Sequence, residues 1–254
     1  MSSWDRAAVV ALAEALVAAR KAGQRLATER LASPPDTATA FAVQAEVAAR
    51  LQTPVRGWKV AIGPGANPIA APLHPLVDVA SGPSGFPWHA HTGLEVELAF
   101  RLSDDIDVLS GRPWSRDEIL SKIDRVCLGV EIVGGRLVAG SSAPFALFLA
   151  DSLDNAGYLL GPPPACDVLD RVARGAVSLS VSGSANWNGM ASHANGDPLA
   201  PLLAVANSPK PYLNVLRAGQ IVTTGALCGA LAVSGAGAVD IVFDGSVRMQ
   251  LRFG

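Results

Sequence analysis

From Gly93 to Phe100 the chain alternates: Leu94, Val96, Leu98 and Phe100 are apolar, and Glu95 and Glu97 fall between them. A period of two puts the four apolar side chains on one face of a strand and both carboxylates on the other. Val130-Glu131-Ile132-Val133, an apolar run holding one carboxylate, reads as a second, buried strand. Earlier the period is helical. Ala8, Leu12, Ala15, Leu16 and Ala19 recur on one side of a helix from about Trp4 to Ala22, stopped by Gly23. Ser33-Pro34-Pro35-Asp36 supplies a turn and an N-cap for a second helix through Phe41, Ala45, Ala48 and Leu51, ended before Pro54.

From Val55 onward the pattern changes to short β segments set off by Gly and Pro. Arg56 to Ile62 reads as a strand, Pro72 to Thr92 as a loop-rich passage, and Trp114-Ser115 as the entry to a short helix with Asp117 and Glu118 in its first turn. Ala150 to Gly157 is a polar loop between apolar segments, and Pro162-Pro163-Pro164 a rigid spacer. The last third is β-rich: Val177 to Val181 pairs back through Ser182-Gly183-Ser184 to Trp187-Asn188-Gly189, and Pro198 to Asn207 is a short helix. Strands follow at Gln220 to Gly225, Ala238 to Phe243 and Val247 to Phe253, the last two joined at Asp244-Gly245.

Composition narrows the classes. A chain of 254 residues, half of them hydrophobic, buries a substantial core. A net charge of −2 with scattered Lys and Arg argues against nucleic acid. Met1 to Asp5 lacks a basic leader and no run is long enough to span a bilayer, so a soluble cytoplasmic protein is expected. Cys127, Cys166 and Cys228 are far apart and read as core packing. Gly63 to Pro68 imitates a dinucleotide loop, but Pro68 forbids the helix such a site needs. No Gly-x-Ser-x-Gly elbow occurs.

Three carboxylates from two neighbouring strands, Glu95, Glu97 and Glu131, would form a hard oxygen cage for a divalent cation. A solvated acidic face produces the same alternation. Lys59, set among apolar neighbours, is either snorkelling outward or held near negative charge. His74, His89 and His91 lie in the loop-rich passage, where ligation and plain exposure both stay open.

Several segments, in order, resemble the 2-hydroxypentadienoate (2-keto-4-pentenoate) hydratases of the fumarylacetoacetate hydrolase superfamily: Ala40 to Gln44, Gly57-Trp58-Lys59, Leu94 to Phe100, Val130 to Val133, Ala150-Asp151 and Gly219 to Gly225. The helical N-terminal part is similar to the hydratase and 4-oxalocrotonate decarboxylase branch. The resemblance implies an α+β mixed β-roll, with a helical segment over residues 1–54 and a catalytic domain over residues 55–254. It implies that Glu95, Glu97 and Glu131 hold Mg²⁺ or Mn²⁺, that Lys59 and Asp78 move protons, and that Asp151 and Thr224 contact substrate. The implied reaction is hydration of a 2-hydroxypenta-2,4-dienoate-type acid to a 4-hydroxy-2-oxo acid. Decarboxylation of a 4-oxalocrotonate-type acid, carbon-carbon hydrolysis and a ligand binder without chemistry are the alternatives. A C–C hydrolase commonly uses a histidine base, yet His74, His89, His91 and His193 follow no matching motif. A homo-oligomer acting on a small acid, without nucleic acid or membrane, is implied as well. Two departures concern the pocket wall: Gly134-Gly135 precede Arg136 where relatives often read Asp-Ser-Arg, and Asp151-Ser152-Leu153-Asp154 stands where they often read Ala-Asp-Asn-Ala-Ser.

Overall fold

The computed structural model describes residues 4–79, 85–108, 111–208 and 213–254. Part of the expected leaderless N-terminus, part of the expected loop-rich passage and two residues of the polar turn before Arg112 lie outside the described residues. Both N-terminal helices form, the first beginning at Arg6 where Trp4 was expected and the second directly after its expected cap, Asp36. Helix α1, Arg6–Ala22, is capped by Asp5, whose carboxylate accepts from Ala8 N–H, and closed by Gly23 in the left-handed conformation. Helix α2, Thr37–Leu51, is capped by Asp36 in the same way. Its buried face runs Ala40, Phe41, Val43, Gln44 and Val47, so Ala45, expected inside, is exposed. The two helices share a core with Ile69, Ala71, Leu137, Leu147 and Leu149, which knits them into the rest of the chain.

The strands and remaining helices follow in order: β1 Gly57–Ile62, β2 Pro68–Pro72, β3 Leu76–Asp78, β4 Gly85–Phe86, β5 Gly93–Leu102, β6 Ile106–Asp107, α3 Arg116–Ser121, β7 Ile123–Val133, α4 Phe145–Ala150, β8 Asn155–Leu160, α5 Val168–Ala173, β9 Ser178–Gly183, β10 Trp187–Met190, α6 Ala200–Ala206, β11 Val215–Leu216, β12 Ile221–Ala226, β13 Leu231–Ala232, β14 Gly237–Phe243 and β15 Val247–Phe253. The main sheet runs β2-β1-β12-β5-β7-β8-β3, with β13 on the far end of β5; the second runs β10-β9-β14-β15-β4. Strand β5 does what its alternation predicts. Leu94, Val96, Leu98 and Phe100 are buried in the core shared with Leu179, Val181, Ile241, Phe243 and Leu251 of the second sheet. Each such side chain contributes about 1.5–3 kcal/mol of burial.

Three expectations are corrected. The loop-rich passage from Pro72 to Thr92 contains β3 and β4, because Leu76–Asp78 pairs in parallel with β8 and Gly85–Phe86 in parallel with β15. Of the polar loop at Ala150–Gly157 only residues 151–154 fall between helix and strand, since β8 begins at Asn155. Among the cysteines only Cys127 is buried; Cys166 is exposed and Cys228 half-buried. No helix among the described residues is long and apolar enough to cross a membrane.

Candidate metal centre

The outer face of β5 meets the matching face of β7. Glu95 lies directly opposite Glu131 in the antiparallel ladder, and Glu97 lies opposite Gly129 two residues along. Like charges in direct cross-strand pairs repel, so this register needs positive charge nearby. One carboxylate oxygen of each glutamate lies within 4.8 Å of the other two. Glu97 and Glu131 are fully buried, while Glu95 is partly open and marks the mouth. From β1, Lys59 sends Nζ to 2.9 Å from Glu131 Oε2 and 3.7 Å from Glu95 Oε2. Lys59 is therefore held by negative charge and does not snorkel.

The floor of the site depends on a missing side chain. A Cβ at Gly129 would collide with the Tyr158 ring and hydroxyl, so only glycine lets Tyr158 lie across β7. From there the Tyr158 hydroxyl donates to Thr223 Oγ1 at 3.3 Å, and Thr223 Oγ1 donates to Glu97 Oε2. On the other side Asn155 Nδ2 donates to Glu131 Oε1 at 3.1 Å. Glu97 Oε1, fully buried, has no hydrogen-bond partner.

The electrostatics follow from burial and crowding. Burial first, then repulsion from Glu131 and Glu95, lifts the Glu97 carboxyl well above its ordinary range against the pull of Lys59 and Thr223. Burial also raises Glu131, against the pull of Lys59. Burial opposes the Lys59 charge, but Glu131, Glu95 and Glu97 outweigh it and hold the ammonium above its usual value. Burial, then Glu97, keeps the Tyr158 phenol protonated. Three carboxylates facing one ammonium, with an orphaned buried oxygen among them, fit a divalent cation: the donors are hard oxygens and the excess charge is negative. Glu95, Glu97 and Glu131 are the residues that would hold it.

The other expected site residues are placed differently. Asp78 lies on β3, three strands from β5, within electrostatic reach of the Cys127 thiol and outside the converging carboxylates. Asp151 is buried with both oxygens committed to Arg136: Nε at 2.6 Å from Oδ1 and the backbone N–H at 2.6 Å from Oδ2. Both bonds hold Arg136 in place. At the double threonine it is Thr223 that touches the cluster; Thr224 has a buried hydroxyl without a partner and a carbonyl that accepts from His193 Nε2 at 3.1 Å. His89 and His91 stack on each other at 5.6 Å and are not part of the carboxylate group.

The residues missed are Arg136, Asn155 and Arg20. Arg136 donates to the Asn155 and Asp151 carbonyls, and Arg20 donates to the His74 and Asn155 carbonyls, all at 2.6–2.7 Å. A signal for Asn155 was present. The Asp-Asn-Ala expected around Asp151 occurs three residues later as Asp154-Asn155-Ala156. The turn before it, Ser152-Leu153-Asp154, holds three successive non-glycine residues at φ 56°, 55° and 64°, a run that local propensity disfavours. Gly135 makes room for it, since a Cβ there would collide with Asp154 Oδ1. The two departures in the pocket wall thus fit one another.

No family model matches the chain. It is 28% identical over 160 residues to a 2-keto-4-pentenoate hydratase of Paraburkholderia xenovorans (strain LB400), a stretch that takes in 63% of this chain and 58% of that protein. The fold matches 4-oxalocrotonate decarboxylase from Pseudomonas putida G7, complexed with magnesium and adipate, along 100% of both chains at 18% identity, with a TM-score of 0.79. The same enzyme complexed with calcium and acetate matches over 100% of both chains at 18% identity, with a TM-score of 0.74. Yeast ynq8, a fumarylacetoacetate hydrolase family protein, matches at a TM-score of 0.52 and 14% identity over 77% of this chain and 91% of its own. The chain is thus similar in sequence to a hydratase and similar in fold to these solved structures. The fold shared with these structures is an α+β roll.

Proposed function

We propose that the chain is a divalent-cation-dependent hydro-lyase that adds water to a short 2-hydroxy-dienoic acid, with Mg²⁺ or Mn²⁺ held by Glu95, Glu97 and Glu131. The observation that carries this reading is Lys59 Nζ, 2.9 Å from Glu131 at the edge of a cluster whose Glu97 Oε1 has no partner. The sequence similarity to a 2-keto-4-pentenoate hydratase supports it. A divalent cation held there by Glu95, Glu97 and Glu131 would supply positive charge that stabilises the enolate of the bound acid. Around it Tyr158 and Thr223 fix Glu97, and Asn155 fixes Glu131. Lys59 is the proton-holding group in contact with the cluster and is assigned the shuttle. The proton lost from the 2-hydroxyl is balanced by one gained at C5, and the water whose oxygen bonds to C4 leaves a hydrogen at C3. Asp78, away from the cluster, is given no step. The homo-oligomeric state expected from the resemblance belongs to the same proposal and is checked by sedimentation.

The test is ultraviolet absorbance of 2-hydroxypenta-2,4-dienoate mixed with the protein and Mg²⁺. Loss of the dienol band, with deuterium appearing at C3 and C5 in heavy water, is the expected result. Lys59→Met should keep the cation and lose about 10²–10⁴-fold in turnover, the usual worth of a positioned acid-base group. Unchanged turnover in that variant removes Lys59 from the mechanism. Carbon dioxide release from a 4-oxalocrotonate-type acid without hydration replaces the reading with a decarboxylase. Cation binding without any reaction replaces it with a binding protein.

A further inference from the structure

Strand β12 is irregular where it passes the carboxylate cluster. Thr223 pairs with Ala99 of β5 and Ala226 pairs with Glu97, so three steps along β12 span two along β5. The extra residue falls at Thr224-Gly225, which the ladder with β5 skips and the ladder with β1, ending at Thr223, does not reach. A bulge of this kind interrupts pairing and re-aims the side chains beside it. Here the neighbouring side chain is Thr223, whose hydroxyl donates to Glu97. Thr224 is buried, so water does not replace a donor lost from its carbonyl.

The donor on that carbonyl comes from the loop between β10 and α6. His193, buried, places Nε2 at 3.1 Å from the Thr224 carbonyl oxygen and Nδ1 at 3.2 Å from the Asn195 backbone nitrogen. The Asn195 N–H needs a lone pair on Nδ1, so the ring proton sits on Nε2 and is donated to Thr224. Burial pulls the imidazole below its ordinary value, against Thr224 and Asp197, which agrees with the neutral ring this pairing requires. Gly225, at φ 130°, leaves room for the ring, since a Cβ there would stand 3.3 Å from Nε2. The loop itself is tied down on both sides of the histidine: Ser192 N–H donates to the Leu227 carbonyl at 2.9 Å, and Arg116 Nε holds Asp197 at 2.6 Å. We propose that His193 is a positioning residue for the metal centre, its Nε2–H clamping the Thr224 carbonyl so that the bulge holds the Thr223 hydroxyl on Glu97. The inference rests on the reading of Glu97 as a cation ligand and adds a residue that acts on it through two others.

The test uses two replacements that divide the ring between them. His193→Gln keeps a donor near the place of Nε2, and His193→Asn keeps only a polar group near the place of Nδ1. Mn²⁺ affinity is measured by calorimetry, and the Thr223 methyl signal of the metal-free protein by NMR. His193→Asn should weaken Mn²⁺ about fivefold and move the methyl signal; His193→Gln should bring the affinity back to within about twofold and the signal to its wild-type place. In a Thr223→Val background His193→Asn should cost less than about twofold, because the hydroxyl through which it acts is gone. A histidine that only packs its loop gives equal losses in the two backgrounds, and that result overturns the proposal. So does an Asn variant that binds Mn²⁺ as tightly as wild type, or a Gln variant as weak as the Asn variant. If His193→Asn fails to fold, ring nitrogen NMR on the wild type decides: a proton on Nε2 supports the clamp and a proton on Nδ1 overturns it. If the wild type binds no Mn²⁺, the metal-centre reading is what fails. A Thr223 methyl signal moved by His193→Asn and not by His193→Gln would then support the clamp alone, and an unmoved signal would overturn it as well.

Discussion

Two clusters of buried charge meet at Asn155, and they are built differently. In one, Arg136 and Asp151 pair at 2.6 Å, both oxygens of the carboxylate are taken, and the arginine also binds two carbonyls. In the other, three carboxylates face one ammonium and Glu97 Oε1 is bonded to nothing. The first is satisfied within the chain and acts as scaffold. The second has a deficit of positive charge that the chain does not supply, which is how a binding site differs from a structural ion pair. Asn155 couples the two, with its carbonyl on Arg136 and Arg20 and its amide on Glu131.

If that contrast is right, damage to the scaffold should be read in folding and damage to the site in binding. Asp151→Ala leaves Arg136 buried without a counter-ion and should lose about 3–5 kcal/mol of stability in urea unfolding, with no recovery on adding Mg²⁺. A loss below about 1 kcal/mol would put the pair among weak surface bridges. Glu97→Gln should weaken Mn²⁺ binding at least about 100-fold, near 2.7 kcal/mol, while metal-free stability stays level or rises because a crowded carboxylate has gone. Equal affinity in calorimetry would take Glu97 out of the ligand set.

A third measurement probes the ground between the clusters. His74, whose backbone N–H donates to Asn155 Oδ1, is held down to about 4 by burial and by Arg20. Its unfolded value is about 6.5, so the imidazole binds its proton less readily in the fold than out of it. The stability it contributes is present above that value and is lost as pH falls toward 4, on the order of 2 kcal/mol. His74→Asn should flatten this part of the acid-unfolding curve; an unchanged slope would leave the histidine without a role in it. Smallest of the four, Thr223→Val removes the hydroxyl between Tyr158 and Glu97 and should cost about 1 kcal/mol, with a fivefold to tenfold weaker cation. No change in either quantity would show that Glu97 is positioned by its strand alone.

Local pattern was enough for the carboxylate cluster and not for its surroundings. Glu95 and Glu97 are visible because a strand's period is fixed, and Glu131 because a charge in an apolar run has to be explained. Gly23, Asp36 and the Asp244-Gly245 turn are also local, and helix and hairpin boundaries fall where those residues put them. The place of Asp78 was not legible for the opposite reason. Its position depends on a three-residue strand pairing in parallel with β8, a long-range choice that leaves no periodic trace. The bond that engages Asp151 comes from a residue 15 positions earlier, a pairing that no local pattern marks. The left-handed turn at Ser152-Leu153-Asp154 contradicts propensity, and it is this turn that delivers Asn155 to Glu131.

Strand β5 presents Leu98 and Val96 to the interior and Glu97 and Glu95 to the carboxylate cluster with no joint between them. Ion-to-oxygen distances tolerate deviations of about 0.2 Å, whereas interiors relax around a lost methylene by comparable shifts. On the proposed reading, selectivity among cations would be tied to how densely the hidden side is filled. A drift in core volume, harmless to the overall architecture, would be heard first as a change in which metal the molecule prefers.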